Sequence, residues 1–276
     1  MNTILVATDM TNASKNATEY AGQLCKAWNC SMLLLNVAVL PAPLPEVAYN
    51  PVGIGEMITE FEGILSQEAA RIFGMFDIEV QPRVVMGILD VEIAETAREL
   101  NAALIVMGKK VPESMDRIFG STADTVIRKA TVPVLVIPEH ISFSGISSIA
   151  YATDLNYNIH ANTFRPVKTL ADSFGSAVKI VHVKKPGDIM SQEDIAGKVK
   201  LSIATEGLHY EYFTISDEHI EDGLQRFLAD NPTTILAMTA HKHSFLERLF
   251  GKRHTKSMLY QIDIPLLVLH DQPKPH

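Results

Sequence analysis

The sequence predicts an α/β chain built as two tandem domains, and three observations carry that prediction. Short Val/Ile/Leu runs alternate with helix-period segments. The runs are continuously apolar, which marks strands buried on both faces of a parallel sheet. The whole order of runs then occurs a second time. Ile4-Leu5-Val6-Ala7-Thr8-Asp9 returns as Ile149-Ala150-Tyr151-Ala152-Thr153-Asp154, an offset of 145. Leu33–Val37 pairs with Lys179–Val183 at 146, and Leu104–Met107 with Ile235–Met238 at 131. Arg117–Gly120 pairs with Arg248–Gly251 at 131, and Val132–Val136 with Ile264–Val268 at 132. One match could be chance, but five in the same order point to duplication. Each copy reads β-α-β-α-β-α-β-α-β, over residues 1–139 and 145–276. The linker, about Glu139–Gly145, is short, so the domains should pack closely.

The elements follow in order. The N-terminus has no basic leader and turns polar at once, so it reads as a first strand rather than a signal peptide. A polar turn and a helix come next, roughly over 13–28 and again over 159–174. Cys25 and Cys30 lie around the end of that first helix. They form neither a CxxC nor a zinc spacing and read as reduced core thiols. The offset falls by about 15 after the second strand, so the first copy carries extra residues there. Pro41, Pro43, Pro45 and Pro51 make this an ordered excursion running to about Gly55. Ser66, Ala69, Ala70 and Phe73 then fit one helix face, and Val91, Ile93, Ala94, Ala97 and Leu100 the next.

Composition narrows the class of function. The chain has 276 residues, 47% hydrophobic and 20% charged, as globular domains do. The net charge of -8 disfavours non-specific binding to DNA or acidic lipid. That charge is uneven: residues 1–139 hold 10 Lys+Arg against 17 Asp+Glu, and residues 140–276 hold 14 against 15. No apolar run is long enough for a membrane span, so a cytoplasmic protein is expected. There is no GxSxG, no HExxH and no Walker lysine.

The strand ending in Thr8-Asp9, the segment Val106-Met107-Gly108, and Gly120-Ser121-Thr122 before a helix and Val132–Val136 form an ordered set that occurs twice. This set resembles the universal stress protein family in its tandem two-domain form, over nearly the whole chain. The resemblance implies an open parallel five-stranded sheet of order 3-2-1-4-5 in each domain. It also implies that the terminal strands, Val134–Ile137 and Leu266–Leu269, pair within the chain as an intramolecular pseudo-dimer, covering edge strands. Family members that bind ATP share a pattern of Gly, two residues, Gly, nine residues, Gly, then Ser or Thr.

In the first copy Gly108 stands at the first glycine, Val111 replaces the second, and the following loop is one residue short. Gly120-Ser121-Thr122 then matches. Gly120 allows close backbone approach, the helix start offers free N–H groups, and Ser121 and Thr122 add hydroxyls. The same residues also suit a plain helix N-cap. The resemblance places Asp9 near base and ribose and Val37 against adenine through its backbone. Ala7 and Met107 accompany them at the strand ends. On their own, Asp9 suits a turn and Val37 the core. Lys109 and Lys110 could reach phosphate oxygens or form a solvated face. ATP, with Mg2+, is the implied ligand of this copy.

The second copy departs further. Thr239 and Lys242 stand at the first two glycines, and Lys252-Arg253 replace Ser-Thr. No ATP is expected there in the family's manner. His241, Lys252 and Arg253 belong to a basic cluster that reads either as a solvated face or as an anion site. No aromatic platform accompanies it, which argues against RNA. His241 and His243 lack a confirming carboxylate or thiol, so no metal is assigned.

Three functions stay open on these grounds: an ATP-sensitive regulatory protein of the stress-response type, a nucleotide-free interaction module of the same fold, and a slow ATP hydrolase. No base is marked for catalysis, so no catalytic residue is assigned. The chain could act as a monomeric pseudo-dimer or as a homodimer, with a protein partner the sequence does not name.

Overall fold

Continuous apolar strands become the centre of each sheet. The computed structural model describes residues 3–39, 51–110, 121–155, 161–189, 191–240 and 263–270, with the backbone alone at 51–54 and 121. The main boundary between two compact units falls between Phe143 and Ser144.

The first unit contains β1 (Thr3–Ala7), α1 (Asn12–Trp28), β2 (Ser31–Ala38), α2 (Pro51–Phe76) and β3 (Val80–Met86). It continues with α3 (Leu89–Glu99), β4 (Leu104–Lys109), α4 (Ser121–Lys129) and β5 (Val134–Pro138). Its strand order is β3-β2-β1-β4-β5, the order the family resemblance implied. Strand β1 lies parallel between β2 and β4, with Leu5 opposite Leu33 on one side and Ile105 on the other. Ile4, Leu5 and Val6 are fully buried, as are Leu34, Leu35, Ile105 and Val106. Helices on both faces account for that burial. The edge strand β3 is mostly exposed and carries Pro82, which an edge tolerates because its N–H side need not be paired.

The second unit contains β6 (Ser148–Thr153), α5 (Ala161–Phe174), β7 (Ala177–Lys184), α6 (Gln192–Ala204), β8 (Tyr210–Ser216), α7 (Ile220–Asp230), β9 (Ile235–Ala240) and β10 (Leu266–His270). Its order is β8-β7-β6-β9-β10, the same topology. The fourth helix expected for this copy falls on residues outside those described.

The turn after the first strand is duplicated in detail. Met10 and Leu155 both adopt φ 63. The Met10 amide donates to Thr8 Oγ1 at 3.1 Å, and the Leu155 amide to Thr153 Oγ1 at 3.2 Å. The Asn36 side-chain amide, through Nδ2, donates to the Thr8 carbonyl at 2.8 Å, while His182 Nδ1 lies 3.0 Å from the Thr153 carbonyl.

Three expectations need correction. The excursion to about Gly55 is shorter than expected, because α2 already begins at Pro51. Proline at a first helical position loses no hydrogen bond and has a helical φ in advance. Pro41, Pro43 and Pro45 lie outside the described residues. The inward face of α2 is Leu65, Glu68, Ala69, Ile72 and Phe76, whereas Ser66, Ala70 and Phe73 face out. The expected face was one residue out of phase. Glu68 is accommodated inside because Arg71 holds its carboxylate with two bonds of 2.8 and 2.7 Å. In α3, Ile93, Ala94 and Ala97 are buried, but Leu100 is exposed.

Candidate functional site

The carboxyl ends of β1 and β4 are adjacent, with connections leaving to opposite sides, and clefts form at such a switch point. A cleft of about 380 Å³ opens there, within the range of small-ligand sites. Ala7, Asp9, Val37, Met107, Gly108, Lys110 and Thr122 all line it. Gly120 and the side chain of Ser121 lie outside the described residues, as do His241, Lys252 and Arg253 of the second copy.

Asp9 is exposed at the mouth of the cleft. Its Oδ1 accepts the Thr11 amide at 3.1 Å and the Thr11 hydroxyl at 2.6 Å. Partial burial pushes its carboxyl up. The Thr11 bonds, the Ser14 hydroxyl and the charge of Lys110 outweigh that and hold it below the usual range. Asp9 is therefore an anchored anion with a cation close by. Ser14 Oγ, 3.0 Å from Thr8 Oγ1, donates to the Thr11 carbonyl at 3.0 Å and fixes the start of α1 beneath it.

Gly108 has a reason unconnected with any ligand. A methyl group there would fall on the Ala13 carbonyl and within 2.7 Å of the Ser14 amide nitrogen. The backbone of α1 approaches β4 so closely that only glycine fits. Beside it Lys109 is largely buried, and its carbonyl accepts the Glu139 amide at 2.9 Å.

The cleft has two chemical sides. Leu35, Val37 and Val39 from β2 and its end, with Leu89 and Ile93 from α3, make an apolar wall. Asp9, Thr11, Lys110 and Thr122 make a polar one, beside the first turn of α4. That turn offers unpaired backbone N–H groups and the positive end of a helix dipole. Lys129 reaches Asp90 at 2.9 Å and ties α4 to α3. The hydrogen bond from Lys129, aided by its charge, keeps the Asp90 carboxyl low against the opposing effect of burial.

Sequence reasoning missed Asn36, Ser14, Leu89 and Ile93 as parts of the site. Asn36 carried a signal: it stands at the position of His182 in the repeat, and both bond the carbonyl at the end of the first strand. The α3 contribution carried none, since Ile93 looks like any core residue of an amphipathic helix.

The second unit builds the same corner differently. Thr239 stands where Gly108 does, and its hydroxyl pairs with the buried Tyr151 hydroxyl at 2.8 Å. Helix α6 lies against the tip of β6, where a methyl at Gly197 would overlap the Leu155 carbonyl. Leu155 is accordingly buried, whereas Met10 is half-buried.

The family model described as the universal stress protein family matches residues 1–138. Universal stress protein MJ0531 of Methanocaldococcus jannaschii is 29% identical over 139 residues, which are 49% of this chain and 80% of that protein. Universal stress protein G of Escherichia coli O157:H7 is 38% identical over 87 residues, 29% of this chain and 61% of that protein. The crystal structure of a universal stress protein from Archaeoglobus fulgidus DSM 4304 aligns over 99% of both chains with a TM-score of 0.77 and 19% identity, a likeness of fold. The matched model, spanning the unit that holds the cleft, shows that this chain belongs to the universal stress protein family.

Proposed function

We propose that this chain is an adenine-nucleotide-responsive regulatory protein that takes ATP in the cleft of its first unit. The observation that carries the reading is the division of that cleft into an apolar wall and a polar wall beside a helix start. The base fits between Val37 and Ile93. Asp9, held ionised, accepts ribose hydroxyls and repels phosphate toward α4. There the backbone N–H groups, Thr122 and Lys110 receive the phosphates. Asp9 is the one carboxylate lining the cleft among the described residues, so Mg2+ is held chiefly by the phosphates themselves. Binding shifts the unit between conformations that a protein partner distinguishes.

A second reading, a nucleotide-free interaction module, is favoured by Gly108. Its lack of a side chain is demanded by α1 packing and needs no ligand to explain it. Titration calorimetry with ATP and Mg2+ on the full chain separates the two. Saturable heat at a single site, weakened about tenfold in Lys110→Met through loss of one charge-assisted contact, supports the first. No heat and no thermal shift at millimolar ATP supports the second and sinks the first.

A further inference from the structure

Helix α1 ends in a left-handed residue, Asn29, at φ 49 and ψ 52. The Cys30 amide donates back to the Cys25 carbonyl at 3.1 Å, and the Asn29 amide to the Lys26 carbonyl at 3.4 Å. These two bonds define a Schellman motif, which frequently brings together the side chains of the two residues joined by its wider, six-residue turn. Here those residues are Cys25 and Cys30. The nearby Cys30 thiol pushes the Cys25 thiol up, with help from burial, and the Cys25 thiol draws that of Cys30 down. The Cys25 sulfur also lies 3.7 Å from the Ser31 carbonyl, which accepts its proton. Both cysteines are free and buried, Cys25 completely and Cys30 to within 8% exposure, so only a small oxidant can reach the Cys30 sulfur.

The second unit shows that this cap needs no sulfur. Gly175 takes the left-handed place at φ 64, and the Ser176 amide donates to the Ala171 carbonyl at 3.0 Å. The duplicate thus closes the same motif with alanine and serine. The first unit alone carries two thiols where the backbone forces side chains together.

We propose that Cys25 and Cys30 form a redox-active dithiol that a hydroperoxide oxidises to an intramolecular disulfide. The Cys30 thiolate attacks the peroxide, forming an S–O bond as the O–O bond breaks and releasing water or an alcohol. The Cys25 sulfur then attacks the Cys30 sulfur. The S–S bond forms, the S–O bond breaks, and hydroxide departs with the Cys25 proton as water. The dithiol loses two electrons and two protons, and the peroxide is reduced by the same two electrons.

Lys26 lies between the cysteines, so trypsin separates Asn16–Lys26 from Ala27–Arg71. After hydrogen peroxide treatment of the full chain, the intact mass should fall by two hydrogens. Non-reducing digestion should then yield these two peptides linked, and dithiothreitol should part them. Trp28, the chain's single tryptophan, gives a fluorescence change that reverses on reduction. In Cys25→Ser the Cys30 sulfenic acid should persist and take up dimedone. The double variant Cys25→Ala, Cys30→Ser copies the residues of the second unit's cap, keeps the fold, and should abolish both signals. Oxidation of Cys30 to sulfinic acid, a disulfide between chains, or two thiols still alkylated after unfolding would each overturn the proposal.

Discussion

Replacing Gly108 by alanine tests whether this glycine serves the fold. An added methyl stands 2.7 Å from the Ser14 nitrogen and nearer still to the Ala13 carbonyl. Ordinary contact needs about 3.4 Å, so α1 would have to retreat by about 1 Å. It cannot do so freely. The Thr8–Ser14 and Ser14–Thr11 bonds anchor its first turn, and Ala13, Ala17 and Tyr20 are buried in the core. Overpacking against backbone rather than a flexible side chain costs about 2–3 kcal/mol. Urea denaturation followed by circular dichroism should lower the midpoint of the first unit's transition by about 1 M, without nucleotide present. A loss below about 0.5 kcal/mol, accompanied by loss of ATP binding, would refute the reasoning and return Gly108 to the ligand.

Tyr151→Phe removes one of two paired hydroxyls in the second unit and should cost about 1–2 kcal/mol, read by the same denaturation; an unchanged midpoint would show the pair to be solvated. Lys129→Met should cost under about 1 kcal/mol, since the lysine is half-exposed. The Asp90 carboxyl is held low mainly by its Lys129 hydrogen bond. Its contribution is therefore full at neutral pH and vanishes as pH falls through its folded value, below about 3.9. Stability curves of the two proteins should converge in acid; a constant gap down to the lowest pH would contradict the assignment.

The strands were legible because parallel strands buried on both faces leave unbroken apolar runs, and duplication displayed each run twice. Helix phase was less legible. Glu68 faces inward and Phe73 outward on α2, the reverse of what polarity suggests, because Arg71 neutralises the buried carboxylate. Asp9, Val37 and Met107 were brought forward by a family pattern and Lys110 by its charge, and the strand order gathers them at one cleft. The role of Gly108 was hidden. It depends on Ala13, almost a hundred residues earlier, arriving against the same backbone. The cysteines read as reduced core thiols, and both are free and buried, but their meeting at a helix cap was hidden for a similar reason. A spacing of five means little until a left-handed residue turns the chain back on itself.

The duplicated turn has a practical meaning. Met10 and Leu155 share a dihedral angle, a hydroxyl acceptor and a braced carbonyl behind them. One polypeptide therefore contains its own reference state. When amide exchange is followed across the chain, residues 8–10 and 153–155 experience the same temperature, pH and salt. They differ in whether glycine or threonine stands on the neighbouring strand and in what lies over the tip. Any protection that an added small molecule confers on one turn and not the other is read as a ratio within a single sample, free of the errors that separate two preparations.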